Sequence, residues 1–595
     1  MLLENVRMEQ LADHLAEAGD RPTWPGLHHQ LDRDRLRTRA QATGRWDRLT
    51  SLATPEPIEV LPRSVFRQYK REGIREPYQR LHDARRHRTE AAAFAVWLKH
   101  PMADLDYVQD LLWAWCESAT WIIPAHEMHP SNLELGSTRI GRVLSEIAYL
   151  LQDDLDPEVY ERVTGEIDRR MLDAASDWRR PNRWATRPMN WNHVCNANLI
   201  QIALYRIEDP FTLAHFIHPL IQRLDYAIDG FARDGGCLEG PGYWAYGFGH
   251  YVDAAIAVHQ RTAGQVNLMD DPRVAPICRY PLAVHFNADH RVTVADAGDG
   301  YVSADVALNI NHLHPLPQLY ALTPPRDDNR LDLRDWRSLA LDDGVPVARD
   351  LSPRDALLPD TGLARIVAGN EPTTQVAITA GHNGVPHNHN DVGSFIYFRH
   401  GRAVLTDPGA PRYTRETFGP NRYDLVHCRS LGHSVPVIDG QEQPAGGQYA
   451  GDLNVAHMNG GAAAGDAVGP KTAIAEIARA YALPALRSLT RRLELRPDGE
   501  LRISDAFDFI EPPATLDEGF VTFDDVTVID GRRAVRFGNG SAAVTVRAAD
   551  DTAGTFVVRE LPESVEHGRD GRLLRRVTFN PATIAGQMTL NFIAC

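Results

Sequence analysis

The chain has 595 residues, 43% hydrophobic and 24% charged, which is ordinary globular composition and more length than one hydrophobic core usually organises. Lys and Arg number 63 against 79 Asp and Glu, a formal charge of −16, which excludes a general electrostatic footprint for nucleic acid or an anionic membrane. The N-terminus carries Glu4, Arg7, Glu9 and Asp13 where a signal peptide needs an unbroken apolar stretch. No later segment offers the roughly 18 apolar residues of a membrane span, so a soluble cytoplasmic protein is expected. Six scattered cysteines without a CxxC pair indicate neither a disulfide framework nor a cysteine zinc site.

Up to about residue 300 the apolar period is helical. It is clear in Ile140, Val143, Leu144, Ile147, Leu150 and Leu151, and again in Leu213, Phe216, Ile217, Leu220, Ile221, Leu224 and Ile228. Pro157 to Asp173 repeats the pattern, with Pro157 suited to a first helical turn. Such one-sided helices must pack on one another, in a bundle, a solenoid or a closed toroid of hairpins. The stretch 301–350, rich in Pro and carrying the charged run Arg326 to Arg337, reads as the crossover between domains.

From about residue 360 the runs are short and β-branched: 374–379, 394–398, 403–406, 434–438, 543–547 and 555–559. Asp439-Gly440, Asp498-Gly499, Asp530-Gly531 and Asn539-Gly540 supply turn signals. The expectation is an α+β chain in two domains, helical over 1–330 and antiparallel β over 331–595, the latter open to division into a central sandwich and a smaller C-terminal region.

Three constellations could do chemistry. The densest is His387-Asn-His389-Asn-Asp391-Val-Gly-Ser-Phe395, followed by Asp407-Pro-Gly409 and His433. Two imidazoles and a carboxylate suit Zn²⁺ with room for a fourth ligand, although each residue singly is explained by turn chemistry. A regular strand would put His387 and His389 on one face. The second is Met189 to Asn198, amides and an imidazole at a helix start, which either present donors to an anion or merely cap the helix. The third is Asp234 to Tyr251, where glycine-rich backbone presents Glu239, Tyr243, Trp244 and Tyr246. A core aromatic patch explains Trp244 equally well, but the tyrosine hydroxyls need partners.

These segments, in this order over roughly residues 180–445, resemble the heparinase II/III-like superfamily of polysaccharide lyases: Asn192-His193, Glu239-Gly-Pro-Gly-Tyr-Trp-Ala-Tyr-Gly247, HNHNDVGSF, Leu405 to Gly409, and His433 to Gly440. The resemblance implies an incomplete (α/α) toroid followed by an antiparallel β-sandwich, with a cleft between them. It implies β-elimination at a uronic acid in an oligo- or polysaccharide, leaving a 4,5-unsaturated end.

By carry-over, Asn192, His193 and His387 would neutralise the uronate carboxylate, and Tyr246, with Tyr243 as alternate, would exchange protons. A second tyrosine would come from the β-domain, Tyr423 before Tyr413. Glu239, Tyr243, Trp244, Tyr413 and Arg422 would line the substrate, and His389, Asp407 and His433 would hold a structural zinc.

The acidic chain and the missing export signal point to an exo-acting lyase on unsulfated oligouronides, alginate or glucuronate-containing. Two readings compete. A toroid glycoside hydrolase would use Glu239 and Asp234 as its carboxylate pair but leaves the histidine cluster without a role. A non-catalytic carbohydrate-binding protein would need no paired tyrosines. The sequence does not set the oligomeric state.

Overall fold

The computed structural model describes residues 5–127, 133–177, 182–324, 336–342, 353–369, 373–456 and 469–595. Helices fill the first part. Their packing runs as a circuit through Glu76–Trp97, Leu135–Leu150, Asn190–Arg206, Gly249–Arg261, Ala304–Leu313, Trp336–Leu341, Arg33–Ala42 and Arg45–Ala53, which returns to Glu76–Trp97. Leu105–Glu117, Pro157–Ile167 and Pro210–Ile228 back part of this ring as an outer layer. The spacing of apolar residues explains the layering: Leu213, Ile217, Leu220, Ile221, Leu224 and Ile228 are all buried on one stripe. The helix expected over 157–173 is regular only to Ile167; a π-turn over Asp168–Leu172 interrupts it.

Much of the expected crossover belongs to the ring. Ala304–Leu313 and Trp336–Leu341 are helices, while 325–335 and 343–352, including the proposed boundary at 330, lie outside the described residues. Arg337, read from sequence as the end of the charged crossover run, is buried with its guanidinium on Glu146 at 2.7 Å and Gln201 at 2.7 Å, over the Trp24 ring. A charge so placed survives burial because its partners are buried with it.

The remainder is antiparallel β. A five-stranded sheet runs Ala356–Leu358, Leu363–Val367, Gln375–Thr379, Phe395–Arg399, Arg402–Leu405 in spatial as in chain order. Its alternation has two buried faces. Ala377, Ile396 and Phe398 join the helical core, whereas Val376, Ile378, Phe395 and Tyr397 face the core shared with the other sheets. Those are an eight-stranded sheet spanning residues 452–594 and a four-stranded sheet of Gly554–Leu561, Leu574–Pro581, Leu516–Thr522 and Val437–Ile438. Asp498-Gly499, Asp530-Gly531 and Asn539-Gly540 each join hydrogen-bonded neighbours, as the turn signals require. The expected toroid followed by a β-sandwich is what forms.

Two buried arginines tie the sandwich to the loops at its helical end. Arg491 pairs with Asp505 at 2.8 Å and Glu518 at 2.7 Å while donating to the Gly393 carbonyl at 2.8 Å. Arg576 donates to the carbonyls of His433 and Val435, both at 2.8 Å.

Candidate active site

A cavity of about 480 Å³ opens where the helical ring meets the β-domain loops. The loop carrying Tyr413 is pinned to the ring by a bridge between Ile74 and Thr414 and by the Arg412–Glu76 ion pair at 2.6 Å. This brings Tyr413 beside Arg75 and opposite Tyr243, whose hydroxyl lies 2.6 Å from its own. Tyr413 also donates to Asp296 at 3.1 Å. Burial raises the pKa of both phenols, so both rest as neutral groups at pH 7.

Asp296 is the hub. Its fully buried carboxylate accepts from His387 Nδ1 at 2.6 Å, His389 Nε2 at 3.1 Å and Arg422 at 2.9 Å. These partners hold its pKa well below the usual carboxylate value despite desolvation, which pushes the other way. His387 has a left-handed backbone, φ 58°, in a turn rather than a strand. The expected shared face is therefore broken: His387 stacks on Tyr243 at 4.1 Å and lines the cavity, while His389 is buried behind it.

The other edge of His387 faces Glu239 at 3.4 Å. Glu239 is buried, and desolvation raises its pKa. It accepts from the backbone of Asn190 at 3.1 Å and from the Asn190 amide, which places Asn190 on the cavity wall.

Several expected site residues lie elsewhere. Asn192 is fully buried, donating to Ala185 and Arg187 carbonyls and accepting from Asn196. His193 is enclosed between Phe231 and Tyr251, and burial lowers its pKa to about 3. On a helix beginning at Asn190, the first turn faces the cleft and the next residues face the core, so the cleft position is Asn190. Trp244 is a core residue donating to Ile277. Tyr246 does line the cavity, 5.3 Å beneath the Arg139 guanidinium.

Tyr423 lies outside the cavity lining, its hydroxyl 3.5 Å from the Asn388 amide. Arg422 serves the Asn388 and Thr417 carbonyls besides Asp296 and positions the loop. Asp234 accepts from Thr361, Gly236 and the Asp360 amide and clamps the domain junction, so it does not pair with Glu239 as a hydrolase would need.

Reading the sequence also missed residues. Asp296 sits in a turn-like stretch, and Arg75, Arg139 and His126 sit in helical or capping contexts without a local signature. His126 donates Nδ1–H to Glu134 at 2.8 Å and leaves Nε2 near Arg75, 3.5 Å away. Only Asn190 lay inside a motif that could have found it.

Next to this centre, ligand atoms of His389, Asp407 and His433 lie within 4.8 Å of one another, all buried. A second group, Asp296, His389 and Cys428, meets the same criterion. The first fits a metal in its hydrogen bonding. His389 Nε2 engages Asp296, leaving a buried Nδ1 with no partner, and His433 Nε2–H donates to the His427 carbonyl at 3.0 Å, leaving Nδ1 toward Asp407. Metal-binding imidazoles are commonly oriented this way, one nitrogen on an oxygen acceptor and the other on the ion.

Residues 350–576 match the family model described as Heparinase II/III-like, C-terminal. The chain carries the heparinase II/III-like C-terminal domain. The expected superfamily resemblance is thereby borne out for the β-rich half, which includes His387, His389, Asp407, Tyr413 and His433. The fold likeness extends over the helical half. A crystal structure of heparinase III is 13% identical with a TM-score of 0.59, covering 96% of this chain and 92% of that one. Heparan sulfate lyase HepC from Pedobacter heparinus is 11% identical with a TM-score of 0.56, covering 100% and 91%. A comparison with curated protein sequences gives no match.

Proposed function

We propose that the protein is a polysaccharide lyase that cleaves uronic-acid-containing glycans by β-elimination. The observation that carries this reading is the Tyr243–Tyr413 hydroxyl pair, 2.6 Å apart, set against His387 and Arg75 in one cavity. The heparinase II/III-like domain and the names of the similar structures, heparinase III and a heparan sulfate lyase, support the same class.

The C5 proton of a uronate is too weakly acidic while the carboxylate keeps its full charge, so donors must stabilise the enolate-like intermediate. Asn190, His387 and Arg75 supply them. One member of the tyrosine pair, neutral at rest, first loses its proton to solvent and as the phenolate removes the C5 proton; the C4–O4 bond then breaks, its electrons leave with O4, and C4=C5 forms. The phenol member protonates O4. A proton hop along the hydrogen bond between the two hydroxyls restores the starting pair. Glu239 and Asp296 are positioning residues that fix Asn190, His387 and Tyr413.

The metal in this reading is zinc on His389, Asp407 and His433, where it would hold the β-domain loops beneath the cleft. A volume of about 480 Å³, within the roughly 300–1,000 Å³ of small-ligand sites, suits a short oligosaccharide and supports exo action on oligouronides. The test is ultraviolet absorbance of the conjugated unsaturated uronate on a panel of oligouronides. A rise is expected; reducing ends without absorbance would mean hydrolysis instead.

A further inference from the structure

Arg576 lies on the strand Leu574–Pro581, 2% exposed, and its guanidinium gathers the main-chain oxygens of one short segment. It donates to the carbonyls of His433 and Val435 at 2.8 Å each, of Leu431 at 3.1 Å and of Ser430 at 3.4 Å. Among the described residues none of its bonds reaches a carboxylate, unlike those of Arg491, which pairs with Asp505 and Glu518. Burial opposes the Arg576 charge, and Glu518 leads the more distant groups that support it. A cation kept in such a place depends on the carbonyl dipoles around it.

The neighbouring strand is cut to fit. Gly519 lies in the middle of Leu516–Thr522, which pairs with the Arg576 strand, and a Cβ there would overlap Arg576 Nη2. Glycine inside a strand weakens it and marks a close approach; here the guanidinium takes the space. The amides of the contacted segment are committed as well. Leu431 donates to Glu442 at 2.9 Å, His433 to the Ser430 carbonyl at 3.0 Å and Ser434 to the Ser394 hydroxyl at 3.1 Å.

We propose that Arg576 is a positioning residue for the metal: it shapes the turn over 430–435 so that His433 meets His389 and Asp407 in binding geometry already in the metal-free protein. This rests on the zinc reading of those three residues. His433 Nε2 is anchored on the His427 carbonyl at 3.0 Å, so Nδ1 is aimed only as well as the main chain beneath the ring is held. The guanidinium bonds the carbonyl of the ligand residue itself and carbonyls on both sides of it, which holds that main chain from either end. Groups that orient a metal ligand in this way typically carry about 10–100-fold of metal affinity.

The experiment titrates metal-free protein with Zn²⁺ against a chromophoric chelator and reads the dissociation constant. Arg576→Met should weaken zinc binding by about 10–100-fold. Arg576→Lys, which keeps the charge but reaches fewer of the carbonyls, should fall between Arg576→Met and wild type. Gly519→Ala, which pushes the native guanidinium off its acceptors, should also weaken binding. Val577→Ala is the control for stability alone: Val577 is the next residue on the strand and fully buried in the sandwich core, so its truncation should lower the melting temperature and leave zinc affinity unchanged.

Wild-type affinity in a folded Arg576→Met would overturn the proposal. Should that variant fail to fold, wild-type affinity in Arg576→Lys and Gly519→Ala would do the same. An equal loss of affinity in Val577→Ala would reduce Arg576 to general stabilisation. If wild type itself takes up no zinc, the metal reading falls and the positioning role with it, an outcome distinct from one in which wild type binds zinc and the Arg576 variants bind it equally well.

Discussion

Tyr243 from the helical ring and Tyr413 from the β-domain share a hydrogen bond of 2.6 Å, so the proposed proton-transfer pair exists only when the two domains are docked. Replacing either by Phe removes one hydroxyl and keeps the ring packing. Each variant should lose about 10²–10⁴-fold in kcat with melting temperature little changed. Near-normal turnover in both would exclude the pair.

Burial raises the pKa of both phenols above the ordinary value of 10, so the phenolate form grows as pH rises. For a base that must lose a proton, kcat/KM should climb through the alkaline range rather than fall above neutrality. A pH profile flat from pH 7 to pH 10 would argue against a tyrosinate base.

Asn190 and His193 separate two registers of the same helix. Asn190 lines the cavity on Glu239, whereas His193 is sealed between Phe231 and Tyr251. Asn190→Ala should lower kcat at least about tenfold with a modest change in stability. His193→Ala should instead cost about 2–4 kcal/mol of stability while the folded fraction keeps most of its kcat. Denaturant titration alongside kinetics decides between them, and the reverse pattern would return the carboxylate role to His193.

This difference marks how far the sequence could be read. The helical period, the turn dipeptides and the histidine cluster are local signals, and each fixes its element: Asn539-Gly540 joins paired strands, and His389, Asp407 and His433 do converge. The two-sided burial of Phe395–Arg399 was readable as an unbroken apolar run, although not that one face meets helices. What stayed hidden is set by tertiary approach. Arg75 matters because the Ile74–Thr414 bridge brings Tyr413 to it, and Asp296 because His387, His389, Tyr413 and Arg422 all meet at its carboxylate. The π-turn and the left-handed His387 also broke the regular periods on which face assignments rest.

The metal site carries its own expectation. With ligand imidazoles oriented by Asp296 and the His427 carbonyl, about one zinc per chain should be retained through purification. Chelation should lower the melting temperature and activity together, and zinc should restore both. His433→Ala should abolish zinc retention while Cys428→Ser retains it. Full stability and activity in metal-free protein would reject the assignment.

Acid should destabilise the helical domain through its buried imidazoles. His193 and His285 are fully buried with pKa lowered to about 3, so the native state leaves them neutral while the unfolded chain protonates them near pH 6.5. The sign follows from proton counting: below pH 6.5 the unfolded state binds more protons, and native stability falls as pH drops toward 3. Each imidazole should remove about 2 kcal/mol between pH 7 and pH 5, read as a falling urea midpoint. In His193→Gln the slope over that interval should be shallower by one imidazole's share, since His82, His285 and His427, with pKa lowered to about 4, 3 and 3, still titrate. An unchanged slope would mean that His193 is already protonated in the native protein, and with it that the enclosure between Phe231 and Tyr251 admits a charge.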